Sequence, residues 1–138
     1  MFLLDTNTVS ELRKTKSGEP RVLMWAGSVP QSSLFLSVVT ILELERGTLL
    51  IGRRDPAQGQ LLRLWLDTLV FPAFEQRILT IDFEVARRCA ALHVPRTRPE
   101  RDALIAATAL VHGMTVVTRN AADFQPMGVS VLNPWNAP

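Results

Sequence analysis

Short apolar runs alternate with longer helical segments along the chain, and this alternation limits the fold more than any other feature. The strand-like runs cover 2–4, 34–39, 78–81, 114–118 and 129–132. Helical segments lie between the runs, so the strands need crossover connections and pair in parallel. No internal repeat, low-complexity segment or linker divides the sequence. It therefore predicts a single α/β domain over residues 1–138, with a mostly parallel sheet of about five strands.

Turn and capping residues predict where the helices begin and end. The first two helices are expected over 6–13 and 20–27, and the third begins at Thr40 after a strand that ends at Val39. Asp82 is a suitable cap for a later helix that stops before Pro95. A nearly all-apolar helix then follows Pro99 and ends at a C-capping glycine at position 113.

Four acidic residues fall where an apolar segment gives way to the start of a helix: Asp5, Glu43, Asp102 and Asp123. In an alternating α/β chain these positions share the edge of the sheet at which ligands collect. Carboxylates that converge without cations among them repel one another. A hard divalent cation such as Mg²⁺ or Mn²⁺ prefers oxygen ligands and removes that repulsion. The spacing therefore predicts a metal site.

Each acid taken alone also fits a purely structural role. The segments Thr40–Glu43 and Thr8–Glu11 match a capping box, and Asn120–Asp123 resembles an N-cap followed by an acid in the first helical turn. Asp5 is harder to explain in this way, because an acid at the end of a buried strand is costly unless it is paired. Four acids at helix starts on one edge of the sheet favour a metal site over four separate capping residues. A non-catalytic nucleic-acid-binding or regulatory module, with acids that only cap helices, remains the alternative.

Arginine dominates the basic residues, although the net charge is only +2. Arginine binds phosphate well, and basic residues beside an acidic site favour a polyanionic substrate. Arg119 is a candidate phosphate contact. The 47% hydrophobic content is high for a small protein and suggests an exposed apolar surface for a partner. No signal pattern and no 18-residue apolar stretch is present, so a cytoplasmic protein without membrane association is expected.

Four motifs in order resemble the PIN-domain nucleases, and within them the VapC-type toxins of bacterial toxin–antitoxin pairs. The motifs span most of the chain: 3–11, 40–47, 101–109 and 117–124. The first is particularly similar to the FitB-like branch. The resemblance implies a three-layer α/β/α sandwich, Mg²⁺- or Mn²⁺-dependent cleavage of RNA, and inhibition by a cognate VapB-like antitoxin. It also implies a homodimer that joins the antitoxin in a hetero-oligomer.

The resemblance and the acidic cluster predict the same chemistry. Asp5 and Asp102 are expected to be the principal metal ligands and catalytic acids, and Glu43 and Asp123 to complete the pocket directly or through water. Thr118, Asn120 and Asn7 are candidates to hold a water or an acidic side chain; capping or turn formation is the alternative for them. Metal-assisted attack of water on a phosphodiester should leave a 5′-phosphate and a 3′-hydroxyl.

Other phosphate chemistries lack their essential residues. Metal-free RNA cleavage needs two histidines at the site, whereas His93 and His112 fall near the ends of predicted helices. The sequence has neither a P-loop nor a G-x-G-x-x-G motif. An aspartyl-phosphate phosphatase would require a second aspartate where Asn7 stands.

Overall fold

A computed structural model describes residues 1–136 and contains a five-stranded parallel sheet in the order β3-β2-β1-β4-β5. The strands are β1 Phe2–Leu4, β2 Leu34–Ser37, β3 Ile78–Leu79, β4 Thr115–Val117 and β5 Val131–Leu132. The helices are α1 Thr6–Leu12, α2 Pro20–Ser28, α3 Val38–Arg54, α4 Pro56–Trp65, α5 Phe71–Ala73, α6 Phe83–Leu92, α7 Glu100–His112 and α8 Ala121–Phe124. A π-helical segment, Leu66–Val70, joins α4 to α5. Residues 137 and 138 of the predicted domain lie outside the described residues.

Helices cover both faces of the sheet because successive strand residues point to opposite sides. Leu3 packs in a core cluster with α6 and α7, whereas Leu4 packs in a second cluster with α1 and α3. Val116 and Val117 divide between the two clusters in the same way. Both faces are therefore buried, as the continuous apolar runs indicate. The predicted three-layer α/β/α architecture is confirmed.

The strand order places a topological switch point between β1 and β4. The chain moves from β1 outward through β2 to β3, then returns to the opposite side of β1 to form β4 and β5. Leu4 at the end of β1 is in register with Val117 at the end of β4. In open α/β sheets, ligands bind beyond the carboxyl ends of the strands at such a point. Asp5 and Thr118 immediately follow these two strands.

The end of β2 and the start of α3 differ from the predicted positions. The strand ends at Ser37, not Val39, and the Ser37 hydroxyl accepts a hydrogen bond of 3.0 Å from the backbone N–H of Val39. Because Ser37 supplies the cap, α3 begins two residues earlier than predicted, and Thr40 lies inside it. The alternative of a capping box at Thr40–Glu43 is therefore wrong, and Glu43 lies in the second turn of the helix.

Some of the predicted capping residues at the other helix ends are confirmed, and others are wrong. Asp82 caps α6 through the Val85 N–H, and Gly113 ends α7 with a left-handed φ of 65°. The capping box at Thr8–Glu11 is wrong, because Asp5 caps α1. Asn120 occupies the N-cap position of α8, but its side chain makes no capping hydrogen bond. Among residues 1–136, no helix has the length and apolarity that a bilayer crossing requires.

Two glycines allow α3 and α4 to pack backbone against backbone. A Cβ atom built on Gly59 would lie 2.5 Å from the Cα atom of Gly52, which is closer than real contacts permit. A Cβ atom on Gly52 would lie 3.7 Å from the Cα atom of Gly59, an ordinary van der Waals distance. The two positions are therefore not equivalent, although the helices meet at both.

We expect Gly59→Ala to lower the free energy of unfolding by about 1–2 kcal/mol, because the overpacking cost exceeds the gain in helix propensity. Gly52→Ala is the matched control and should be neutral or stabilising by up to about 1 kcal/mol. Urea titration followed by circular dichroism measures both. A Gly59→Ala protein as stable as the Gly52→Ala protein would contradict the close packing of these helices.

Candidate functional site

Asp5 lies at the end of the central strand with a fully buried side chain. Its Oδ1 atom accepts hydrogen bonds from the backbone N–H of Thr6 at 2.8 Å and from Nη2 of Arg101 at 2.7 Å. Its Oδ2 atom accepts from the hydroxyl of Thr118 at 2.8 Å and, more weakly, from the amide of Asn7 at 3.4 Å. Both oxygens are therefore satisfied, which an ionised carboxylate needs in order to be buried.

The loop after β4 contacts the Asp5 carboxylate through the side chain of Thr118. The Thr118 hydroxyl donates to Asp5 and accepts from the backbone N–H of Asn120 at 3.0 Å. The Asn7 side chain spans the same junction, because its Oδ1 atom accepts from the backbone N–H of Arg119 at 3.3 Å. Thr118 and Asn7 thus contact Asp5 directly, whereas Asn120 contributes through its backbone.

Glu43 approaches the same edge from the second turn of α3. Its Oε1 atom accepts a hydrogen bond of 2.6 Å from the Thr6 hydroxyl, which also lies 3.4 Å from the hydroxyl of buried Thr40. Thr6 follows Asp5 directly, so one short segment orients two of the acids. The side chain of Glu43 is therefore aimed at the site by a tertiary contact and has no capping role at the start of α3.

The guanidinium group of Arg101 lies among the acids. It donates to Asp5 through Nη2 and to Asp102 through Nη1, and its Nε atom contacts a carboxylate oxygen of Glu43. These contacts bring together acids from the end of β1, from α3 and from α7. Arg101 extends from the first turn of α7 into the space between the carboxylates, so a cation of the chain itself lies among them.

Asp102 and Asp123 complete the acidic edge in different environments. Burial raises the pKa of the Asp102 carboxyl, and the charges of Asp5, Asp123 and Glu43 raise it further, while Arg101 opposes the rise. Asp123 itself is exposed in the first turn of α8. Three of the four predicted acids, Asp5, Glu43 and Asp102, therefore share one cation, whereas Asp123 makes no ion pair with Arg101 among the described residues.

Arg119 lies at the exposed rim of this edge. Its guanidinium carbon is 5.8 Å from the centroid of the Trp135 ring, and its backbone carbonyl accepts a hydrogen bond from Asn133. The cation therefore stacks on an aromatic ring and does not pair with the acids. Its predicted role as a phosphate contact stays a prediction.

A second group of potential ligands, Cys89, His93 and Glu100, joins the end of α6 to the start of α7. Their ligand atoms lie within 4.8 Å of one another. The backbone N–H of Arg98 donates to Nδ1 of His93 at 3.0 Å, which places the proton of the neutral ring on Nε2, 3.1 Å from a Glu100 oxygen. These contacts form a polar link between α6 and the start of α7.

Two functional positions were not found from the sequence. Thr6 has no distinguishing pattern, because only the crossing of α1 and α3 brings its hydroxyl to Glu43. Arg101 falls among the many arginines of the sequence and opens the motif 101–109, but neither pattern places it among the acids. A signal was present, since a cation in the first turn of a helix opposes the helix dipole and therefore suggests a nearby anion.

Comparison with known proteins agrees with this geometry. The family model described as "PIN domain" matches residues 2–127. The chain is 33% identical to VapC ribonuclease Y4jK of Sinorhizobium fredii, covering 98% of both chains. It is 35% identical to Toxin FitB of Neisseria gonorrhoeae, covering 99% of both. The crystal structure of FitAcB from Neisseria gonorrhoeae superposes with a TM-score of 0.91 at 33% identity, covering 99% of each chain.

The identity and coverage of these relatives, and the matching architecture, show the family. The chain belongs to the PIN-domain family and, within it, to the branch of VapC ribonucleases and FitB toxins.

Proposed function

We propose that this protein is a divalent-metal-dependent endoribonuclease and the toxin of a bacterial type II toxin–antitoxin pair. The observation that carries the proposal is the convergence of Asp5, Glu43 and Asp102 on one position at the switch point of the sheet. Membership of the PIN-domain family supports the metal-dependent cleavage that the motif resemblance implies. Ribonuclease and toxin are the names of relatives that this chain matches over nearly its whole length.

The ligand atoms suit a hard cation. Asp5, Glu43 and Asp102 offer only oxygen, and Asp123 adds a fourth carboxylate at the rim. Oxygen ligands of this kind favour Mg²⁺ or Mn²⁺ over softer metals. Buried carboxylates also need positive charge nearby, and Arg101 shows that the pocket admits a cation. We infer that Asp5 and Asp102 are the principal ligands, with Glu43 and Asp123 completing the pocket.

The surrounding residues hold the acids in place. Thr118 and the Thr6 backbone restrain the two oxygens of Asp5, and the Thr6 hydroxyl restrains Glu43. A divalent ion held by these acids would activate a water and stabilise the charge that develops on a phosphodiester. Hydrolysis of the phosphodiester would then leave a 5′-phosphate and a 3′-hydroxyl. Arg119, exposed beside the acids, is proposed to contact substrate phosphate.

The alternative function is a non-catalytic nucleic-acid-binding or regulatory module whose acids cap helices. Capping accounts for the Asp5 contact with Thr6. It does not account for Glu43, which lies beyond the first turn of its helix, or for the convergence of Asp5, Glu43 and Asp102 on one guanidinium group. The metal-dependent enzyme is therefore the better explanation.

The proposed partners follow from the family and from the exposed apolar surface of α3, α4 and the π-helical segment. Six leucines on these elements are more than half exposed: Leu42, Leu49, Leu50, Leu61, Leu64 and Leu69. Apolar area of this extent marks an interaction surface. We propose that a VapB-like antitoxin and a second copy of the chain cover it in a hetero-oligomer in the cytoplasm, where RNA substrates are present.

Removal of divalent metal should abolish RNA cleavage. Protein treated with EDTA is expected to be inactive on total cellular RNA, and Mn²⁺ or Mg²⁺ should restore cleavage, because only oxygen ligands form the pocket. Gel analysis with 5′-end labelling detects both cleavage and the 5′-phosphate. Undiminished cleavage in excess EDTA would contradict the proposed function.

Glu43→Gln should slow metal-dependent cleavage at least about tenfold, because it removes charge from the pocket while keeping an oxygen for Thr6. Glu45→Gln is the matched control: Glu45 is two residues further along α3 and pairs with Arg63 at 2.6 Å, away from the site. The control should keep the wild-type rate and lose at most about 1 kcal/mol of stability. Equal rates for both variants across a Mn²⁺ titration would remove Glu43 from the proposed site.

Induced expression without an antitoxin should arrest growth, since RNA cleavage inside the cell would be unrestrained. Asp102→Asn protein, expressed to the same level, should permit growth because the variant lacks a proposed ligand. Optical density after induction and immunoblotting measure the effect and the expression level. Normal growth with abundant soluble wild-type protein would contradict the toxin assignment.

A further inference from the structure

The position of Arg101 is set by tertiary contacts and not by its own helix. It is the second residue of α7, where the helix dipole favours anions and disfavours a cation. Its neighbours Glu100 and Asp102 are the acids expected there. The arginine nevertheless points back over the helix start into the acidic pocket, so attraction to the carboxylates decides its conformation.

Arg101 uses each of its three nitrogens on a different acid: Nη2 on Asp5, Nη1 on Asp102 and Nε on Glu43. The Nε atom is buried and has no hydrogen-bond partner within the described residues, although it contacts the Glu43 carboxylate. The contact is therefore electrostatic with imperfect hydrogen-bond geometry. The side chain is 34% exposed, which leaves it a path outward to solvent.

Arg101 and a metal ion would compete for the same space. Mg²⁺ binds oxygen at about 2.0–2.1 Å, which brings neighbouring ligand oxygens to within about 3 Å of one another. The guanidinium group stands between the oxygens of Asp5, Asp102 and Glu43, so those oxygens cannot close around an ion while it is present. Binding of the metal requires that the arginine leave.

We propose that Arg101 is a resident counter-ion that occupies the metal position in the metal-free protein and sets the affinity for metal by being displaced. This inference rests on the proposed metal-dependent function. The arginine neutralises part of the charge on the buried acids, so the metal-free protein folds with its ligands assembled. The same contacts must be broken when metal enters, and they weaken metal binding by the free energy of the displaced ion pairs.

Calorimetric titration of Mn²⁺ alone into EDTA-treated, dialysed protein tests the proposal. Arg101→Gln should lower the Kd for Mn²⁺ at least about tenfold, because charged hydrogen bonds no longer have to be broken. The metal-free variant should melt at a lower temperature than wild type, since Asp5 is left buried without its cation. Saturating Mn²⁺ should raise its melting temperature by more than it raises that of wild type.

Arg96→Gln is the matched control for loss of one positive charge, because Arg96 is exposed in the loop before α7. It should leave the Kd for Mn²⁺ within about twofold of wild type, the change expected from a distant screened charge. An Arg101→Gln protein that binds Mn²⁺ no more tightly than the Arg96→Gln protein would overturn the displacement. If wild type and both variants bind no Mn²⁺, the proposed metal-dependent function fails as well, so the two failures are distinguishable.

A measurement on the wild-type protein keeps the proposal testable if Arg101→Gln does not fold without metal. The Nε–H resonance of Arg101, assigned by its absence from Arg101→Lys, is followed by NMR during a Mg²⁺ titration. The resonance should move towards the position of solvent-exposed arginines, with the same midpoint as metal binding measured by calorimetry. A resonance that stays unchanged while Mg²⁺ binds would show that the arginine remains in place and would overturn the proposal.

Discussion

The burial of the Asp5 carboxylate at the end of the central strand is the constraint on which the rest of the site depends. A fully buried, unpaired carboxylate costs several kcal/mol, so the structure must surround it with donors. The donors come from four places in the chain: the Thr6 backbone, the Asn7 amide, the Thr118 hydroxyl and the Arg101 guanidinium. The ends of β1 and β4 and the start of α7 are thereby tied together.

The parallel sheet explains why those donors are available at one edge. With the order β3-β2-β1-β4-β5, the carboxyl ends of β1 and β4 are neighbours, and the helix starts that follow them face the same way. The helix α7 packs its small apolar residues into the core on one face, which fixes its first turn beside Asp5. Packing of apolar residues far from the site therefore positions the polar residues within it.

The positive charge of Arg101 offsets part of the negative charge at the acidic edge. Acids that would repel one another in the metal-free protein share one guanidinium group. Burial raises the pKa of the Asp102 carboxyl, and the adjacent arginine opposes the rise, so a nearby cation favours the ionised form of this acid. The convergence of the acids and the presence of a guanidinium group among them therefore belong together.

The sequence by itself determined the layer architecture and the edge at which the acids meet. Short apolar runs separated by helices require crossovers, and an acid after a buried strand requires a partner. The sequence pattern did not locate the start of α3, where Ser37 supplies the cap and Glu43 therefore lacks the alternative role of a capping residue. It also failed for Thr6, whose contact with Glu43 joins residues 37 positions apart. Only the tertiary structure decided that Arg101 lies among the acids, because its local helix disfavours a cation and three carboxylates from separate elements attract it.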